Sequence, residues 1–126
     1  MNKYGNKKIT YQGEEFDSKR ECYRYIDLKF LEDCGAISNL RRQVKYELIP
    51  TQREKSTKVY KKGRKKGQPR EGKIIEKAVT YIADFTYTDA ATGETVVEDS
   101  KGFRTKEFVI KRKLMLYVHG IKIREV

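Results

Sequence analysis

Little in this chain invites sulfur or imidazole chemistry. It holds one histidine, His119, and two cysteines, Cys22 and Cys34. No His/Cys cluster stands at zinc spacing, and an isolated His or Cys is more often structural than a ligand. The two cysteines are twelve residues apart on what reads as one helix. That places them ~18 Å apart at the helical rise, which excludes an intrachain disulfide and leaves both expected as reduced core residues. His119 is read as a helix C-terminal residue interacting with the dipole. Long apolar runs are also missing. None approaches the ~20 residues a spanning helix needs, and no amphipathic segment sets a Trp/Phe/Leu face against a basic one, so no membrane partner is expected. The stretch MNKYGNKKITYQG lacks the apolar run of a signal peptide, so the expected location is the cytoplasm.

What is present is positive charge. Lys plus Arg number 29 against 18 Asp plus Glu, a net +11 on 126 residues. That balance predicts attraction to polyanions, nucleic acid first and acidic membrane surface second. The length suits one domain, 1–126, with a modest core.

Residues 3–16 alternate apolar and polar around Gln12-Gly13, which predicts a short hairpin. A helix is predicted over about residues 18–34, with Cys22, Ile26, Phe30 and Leu31 at helical spacing and Gly35 as the stop. Its entry, Ser18-Lys19-Arg20-Glu21, reads as a capping box in which the Glu side chain returns to the N-cap amide. Period two begins in QVKYELI, with Val44, Tyr46 and Leu48 on one face, and Pro50 ends that strand. Residues 53–73 carry ten basic and two acidic side chains, +8 of the net charge. Glycines 63, 67 and 72 and Pro69 interrupt them, which predicts a mobile loop or a loosely ordered hairpin.

IIEKAVTYIADFTYTD and ETVVEDSKG, joined by a Gly-containing turn, predict an antiparallel hairpin. TKEFVIKRKLMLYVHG predicts a second helix, N-capped by Thr105, with Phe108, Met115 and Leu116 inward and Gly120 as the stop. IKIREV closes as a strand. After the first hairpin the order is helix, strand, strand, strand, helix, strand: an α/β or α+β domain with a mixed sheet flanked by two helices.

The charged strand residues need a reason, because strand interiors disfavour Asp and Lys. Alternation places Thr95, Val97, Asp99 and Lys101 on one face and Val96 and Glu98 on the other. On the partner strand Tyr81, Ala83, Phe85 and Tyr87 oppose Ile82, Asp84 and Thr86. A turn near residues 89–94 brings Asp84 close to Asp99. Two adjacent carboxylates repel unless a cation bridges them, and Mg²⁺ is the usual answer, with Mn²⁺ able to substitute. A lysine beside such a metal orients and helps deprotonate a water, or stabilises charge building on a phosphoryl group. The other reading is a surface Asp-Lys pair of little energetic weight.

Asp84, then Asp99-Ser100-Lys101, on a hairpin between an N-terminal helix and a second helix and strand, resembles the PD-(D/E)XK nuclease superfamily with its restriction-endonuclease-like αβββαβ core. FDSKRECYRYIDLKFLEDCGAISNL, RQVKYEL, YIADFTY, EDSKG and TKEFVIKRKLM look more closely like a phage-encoded family of small endonucleases long catalogued as a domain of unknown function. The resemblance covers nearly the whole chain outside the basic segment. It implies that Asp84 and Asp99 are metal ligands with the Ser100 carbonyl as a third oxygen, and that Lys101 is the catalytic lysine. Glu21 matches an acidic residue placed beside the metal through water; its alternative role is the helix cap. Ala83 stands where the superfamily name has proline. Glu98 competes with Asp99, but it faces away from Lys101 unless the strand is bulged. Gln43 is read as an edge residue bonded to solvent, although in some relatives this position reaches the site's rim. Lys111 is a candidate phosphate contact, against a solvated helix face.

In a nuclease the segment 53–73 becomes an arm whose Lys61, Lys62, Arg64, Lys65 and Lys66 clamp the duplex backbone. Tyr60 is a candidate to stack on a base. The resemblance thus implies a Mg²⁺-dependent DNA endonuclease, with branched DNA favoured as in a Holliday junction resolvase of a phage recombination module, acting in the host cytoplasm. A homodimer is expected, since two strands need two sites or two visits. The alternatives are a nicking or double-strand endonuclease without structural preference, and a non-catalytic DNA-binding protein that kept the fold.

Overall fold

A computed structural model describes residues 7–126. The chain forms two compact units: one takes in the described residues up to Tyr46 together with Tyr81–Val126, the other Glu47–Thr80.

The first unit opens with β1 (Ile9–Tyr11) and β2 (Glu14–Phe16), antiparallel with Ile9 opposite Phe16. Gln12 and Gly13 both take positive φ, 49° and 80°, as a two-residue turn matching the strand twist requires. The expected hairpin is present; its residues 3–6 lie outside the described residues. α1 (Lys19–Asp33) follows, and the Ser18 hydroxyl accepts the Glu21 amide at 3.2 Å. Half of the expected capping box therefore forms, while the Glu21 carboxylate turns elsewhere.

The inner face of α1 is not the predicted one. Cys22 and Leu28 are buried, with Tyr25 and Leu31 against the core, whereas Ile26 and Phe30 are exposed. The buried face steps by three from Cys22 through Tyr25, whose ring packs on Phe16 and Phe85 with centroids 5.2 and 6.3 Å away. Tyr25, absent from the predicted apolar set, is what links Cys22 to Leu28 on that face. Cys34 is the exposed C-cap residue, not a core residue, and both thiols are free. Gly35 adopts φ 82° just beyond, ending the helix as expected.

β3 (Ile37–Ile49) is longer than QVKYELI suggests. Asn39 and Gln43 have φ of 56° and 53°, and such kinks break the alternation that periodicity relies on. In the second unit β4 (Gln52–Arg53) pairs antiparallel with β5 (Ile74–Glu76). Between them the basic segment is a hairpin, the second of the two forms expected. Glu54 N–H donates to Lys73 O at 2.9 Å, Arg70 N–H to Lys58 O at 2.9 Å, and Tyr60 N–H to Gln68 O at 3.0 Å. At its closed end Gly67 N–H donates to Tyr60 O at 2.9 Å. Gly72 is required here, since a Cβ would lie 1.8 Å from the Glu54 carbonyl oxygen. The run predicted to start at Ile74 is thus split, β5 belonging to the arm.

β6 (Val79–Asp89) and β7 (Thr95–Asp99) form the expected antiparallel hairpin, pairing Phe85 with Glu98, Thr86 with Val97 and Tyr87 with Val96. Its turn is closed by Asp89 N–H to Glu94 O at 2.9 Å, inside the anticipated 89–94 stretch. α2 (Lys106–His119) begins at Thr105, whose hydroxyl accepts the Phe108 amide at 3.0 Å, and stops at Gly120 with φ 68°. Phe108 and Met115 are buried, but Leu116 is exposed, against expectation. The Met115 side of the helix takes the whole burden of burial. β8 (Arg124–Glu125) runs parallel to β7.

The sheet order is β3-β6-β7-β8. An α+β architecture with a mixed four-stranded sheet and two helices follows, as expected at that level. Leu28, Ile37, Phe85 and Tyr87 form a buried cluster between α1 and the sheet, each such side chain contributing about 1.5–3 kcal/mol on burial. That packing holds α1 against β3 and β6.

Candidate active site

β6 and β7 carry the site, their register set by the short turn that joins them. Continued one step beyond Phe85 and Glu98, it sets Asp84 across from Asp99. Asp99 is fully buried. Its Oδ2 accepts the Tyr81 hydroxyl at 2.5 Å, while its Oδ1 accepts no hydrogen bond and faces the Lys101 ammonium at 3.5 Å. Asp84 Oδ2 accepts the Ser100 main-chain N–H at 2.7 Å. Lys101 lies past the end of β7, not within it, and its Nζ sits 5.3 Å from the Phe108 ring centroid.

The electrostatics follow from burial. The Asp84 carboxyl is raised above the ordinary carboxylate range first by burial, then by the charge of Asp99 and then by that of Glu21. Asp99 is raised by burial, opposed by the Tyr81 bond and by Lys101. Burial, then the bond to Asp99, pushes the Tyr81 phenol well up, so it remains an O–H donor. Three carboxyl groups thus disfavour one another's ionisation through space.

Glu21 is buried on α1 with its carboxyl raised by burial and then by Asp17. Its Oε1 accepts Gln43 Nε2 at 3.0 Å and Arg42 Nη2 at 3.4 Å. Gln43 therefore bonds Glu21 rather than standing as a solvent-facing edge residue. Its positive φ marks the irregularity that re-aims the side chain, which periodicity does not reveal. Arg42 is itself held over the Phe16 ring at 3.8 Å.

Glu98, the competitor for Asp99, occupies the opposite face. Arg24 grips it in bidentate fashion, Nε to Oε1 at 2.8 Å and Nη2 to Oε2 at 2.6 Å, and the Tyr87 hydroxyl donates to it as well. Both of its oxygens are committed to α1 and β6. Tyr81 is the residue that alternation places wrongly: it shares parity with Phe85, yet its hydroxyl joins the Asp99 side.

Among the remaining candidates, Lys111 pairs with Glu107 at 3.0 Å along α2. The Glu107 carboxyl is held below its ordinary range by Lys111 and, more weakly, by Lys101, so these cations share one neighbourhood. Lys61, Lys62, Arg64, Lys65 and Lys66 belong to the second unit and are exposed at the closed end of its hairpin. There Lys65 Nζ and the Arg70 guanidinium stand 5.6 and 5.7 Å from the Tyr60 ring centroid. His119 meets Tyr46 edge to face at 5.7 Å.

Among the described residues no three His, Cys, Asp or Glu side chains close into a ready cage. The donors that converge are the hard oxygens of Asp84 and Asp99, and Oδ1 of Asp99 is buried with no hydrogen-bond donor, only the Lys101 ammonium at 3.5 Å. This donor set fits Mg²⁺ or Mn²⁺ with water completing the shell. No helix among the described residues is long and apolar enough to cross a membrane. Residues 1–124 match the model of a family described as a protein of unknown function, DUF1064. No curated protein and no solved structure matches the chain.

Proposed function

This chain belongs to the DUF1064 family, and we propose that it is a metal-dependent DNA endonuclease with a PD-(D/E)XK-type αβββαβ core. The observation that carries the reading is the buried Asp84/Asp99 pair with Lys101 at its side and one Asp99 oxygen unbonded. Burying two carboxylates face to face costs stability unless a ligand uses them.

Asp84 and Asp99 would hold Mg²⁺, with the Ser100 carbonyl as a third oxygen and Glu21 acting through water. When bound, the ion supplies Lewis acidity toward a phosphoryl oxygen and the attacking water. The Tyr81 hydroxyl and the Ser100 N–H each occupy one carboxylate oxygen and so fix the direction of the other. Lys101 orients a water and stabilises the negative charge that develops on the scissile phosphate. Gln43 and Arg42 hold Glu21 in place. Lys111, paired with Glu107 on α2, offers a phosphate contact. The arm supplies sequence-independent affinity through its exposed cations.

Branched DNA is the favoured substrate, because a net charge of +11 suits contact with phosphates irrespective of sequence. A nicking or double-strand endonuclease and a non-catalytic DNA-binding protein are the rivals. The test is incubation of a four-way junction, a linear duplex and single strands with Mg²⁺ or Mn²⁺, with wild type beside Asp99→Ala and Lys101→Ala. Symmetrical nicks at the crossover, absent from both variants, are expected. Equal cutting of linear duplex removes the junction preference, and intact junction binding without any cleavage by the wild type removes the enzyme.

A further inference from the structure

α1 carries a second pattern, on the side away from its core face. Lys19, Tyr23, Ile26, Phe30 and Asp33 follow one another at steps of four, three, four and three, the spacing that aligns side chains in one stripe along a helix. All are exposed: Tyr23 at 59%, Ile26 at 36% and Phe30 at 67%, with Lys19 and Asp33 at the two ends. Among the described residues neither Lys19 nor Asp33 has an ion-pair partner. Fourteen residues of helix separate them by ~21 Å, so they cannot pair within one chain.

The stripe is self-complementary when reversed. Read from either end it runs charge, aromatic, isoleucine, aromatic, charge, with opposite signs at the ends. We propose that α1 is the interface of a homodimer in which two copies pack antiparallel about a two-fold axis at Ile26. Ile26 then meets its own copy, Tyr23 meets Phe30 of the second chain, and Lys19 meets Asp33 at both ends, as an isologous contact demands. A parallel pairing sets Lys19 against Lys19 and Asp33 against Asp33, so charge selects the antiparallel arrangement. The three central residues supply the apolar anchors, and the terminal ion pairs fix register. The inference stands on the stripe alone and is independent of the catalytic reading.

Light scattering and sedimentation of the full chain at micromolar concentration test it, with thermal melts showing that each variant stays folded. Wild type is expected at twice the chain mass and Phe30→Asp at the chain mass. Lys19→Glu and Asp33→Lys should each weaken the dimer roughly tenfold, because each reversal turns two attractive contacts into repulsive ones. The double variant K19E/D33K should recover most of that loss, which only pairing between chains can produce. Tyr117→Ser, at the 88% exposed Tyr117 of α2, should leave the mass unchanged. A monomeric wild type overturns the proposal. So does a dimer that K19E and D33K leave equally tight, or one that Tyr117→Ser dissociates in place of Phe30→Asp.

Discussion

Adjacent residues on β7 have opposite fates, and the difference is their surroundings. Glu98 is fully buried but saturated, with two bonds from Arg24 and one from Tyr87. Asp99 is equally buried, and one of its oxygens is left unbonded. The first arrangement is structural. Arg24→Ala leaves the Glu98 carboxylate buried without its cation, and a loss of about 3 kcal/mol is expected, the low end for a broken buried pair because Arg24 is partly exposed. Chemical denaturation measures it; a change below about 0.5 kcal/mol, the scale of ordinary surface substitutions, would show that Glu98 needs no partner. The second arrangement predicts a pH dependence. The folded Asp84 carboxyl is raised from the ordinary range up to about 8. Its contribution to stability is complete below the ordinary carboxylate pKa and is lost as pH rises through the folded value. Metal-free protein should therefore lose stability between about pH 4 and 8, in a span read from that shift. Asp84→Asn should flatten that decline and be the more stable protein at pH 8.5. Parallel curves for the two proteins would contradict the burial-driven shift.

At the scale of elements, punctuation residues were legible and faces were less so. Gln12-Gly13, Ser18, Thr105 and Gly120 mark turns and caps by local chemistry, and each sits where that chemistry places it. Local signals do not depend on the rest of the fold. The inner face of α1 and the exposure of Leu116 and Cys34 depend on which neighbour arrives, and spacing alone admits more than one answer. Asp84, Asp99 and Lys101 were legible together because strand register is set by the short β6–β7 turn. Gln43 was not, since the positive-φ irregularity of β3 has no signature in period two, and Tyr81 was not, since the reach of its hydroxyl to Asp99 is a tertiary contact. The arm's composition left a mobile loop and a loosely ordered hairpin both open, because charge and glycine carry no signature of the backbone bonds that join its two sides. That arm carries its own prediction. Neutralising Lys61, Lys62, Arg64, Lys65 and Lys66 should weaken DNA binding for all sequences alike and reduce the log-log salt slope by up to about 4. Binding measured across a salt series checks it; an unaltered slope would mean that the arm does not meet DNA.

At the scale of the whole molecule, a net charge of +11 draws the protein to polyanions without saying what it does to them. On the proposed nuclease reading the buried Asp84/Asp99 pair would give that attraction a chemical purpose. The central claim is that Asp84 and Asp99 form a divalent-cation site. Titration of Mg²⁺ and Mn²⁺ into wild type, Asp84→Asn and Asp99→Asn, followed by calorimetry and by the shift in melting temperature, tests it most directly. Binding of cation by the wild type with a rise in melting temperature, stronger at pH 8 than at pH 6 because protons must leave, and lost in both variants, is the predicted result. A wild type that takes up no ion, or variants that bind as the wild type does, would contradict it.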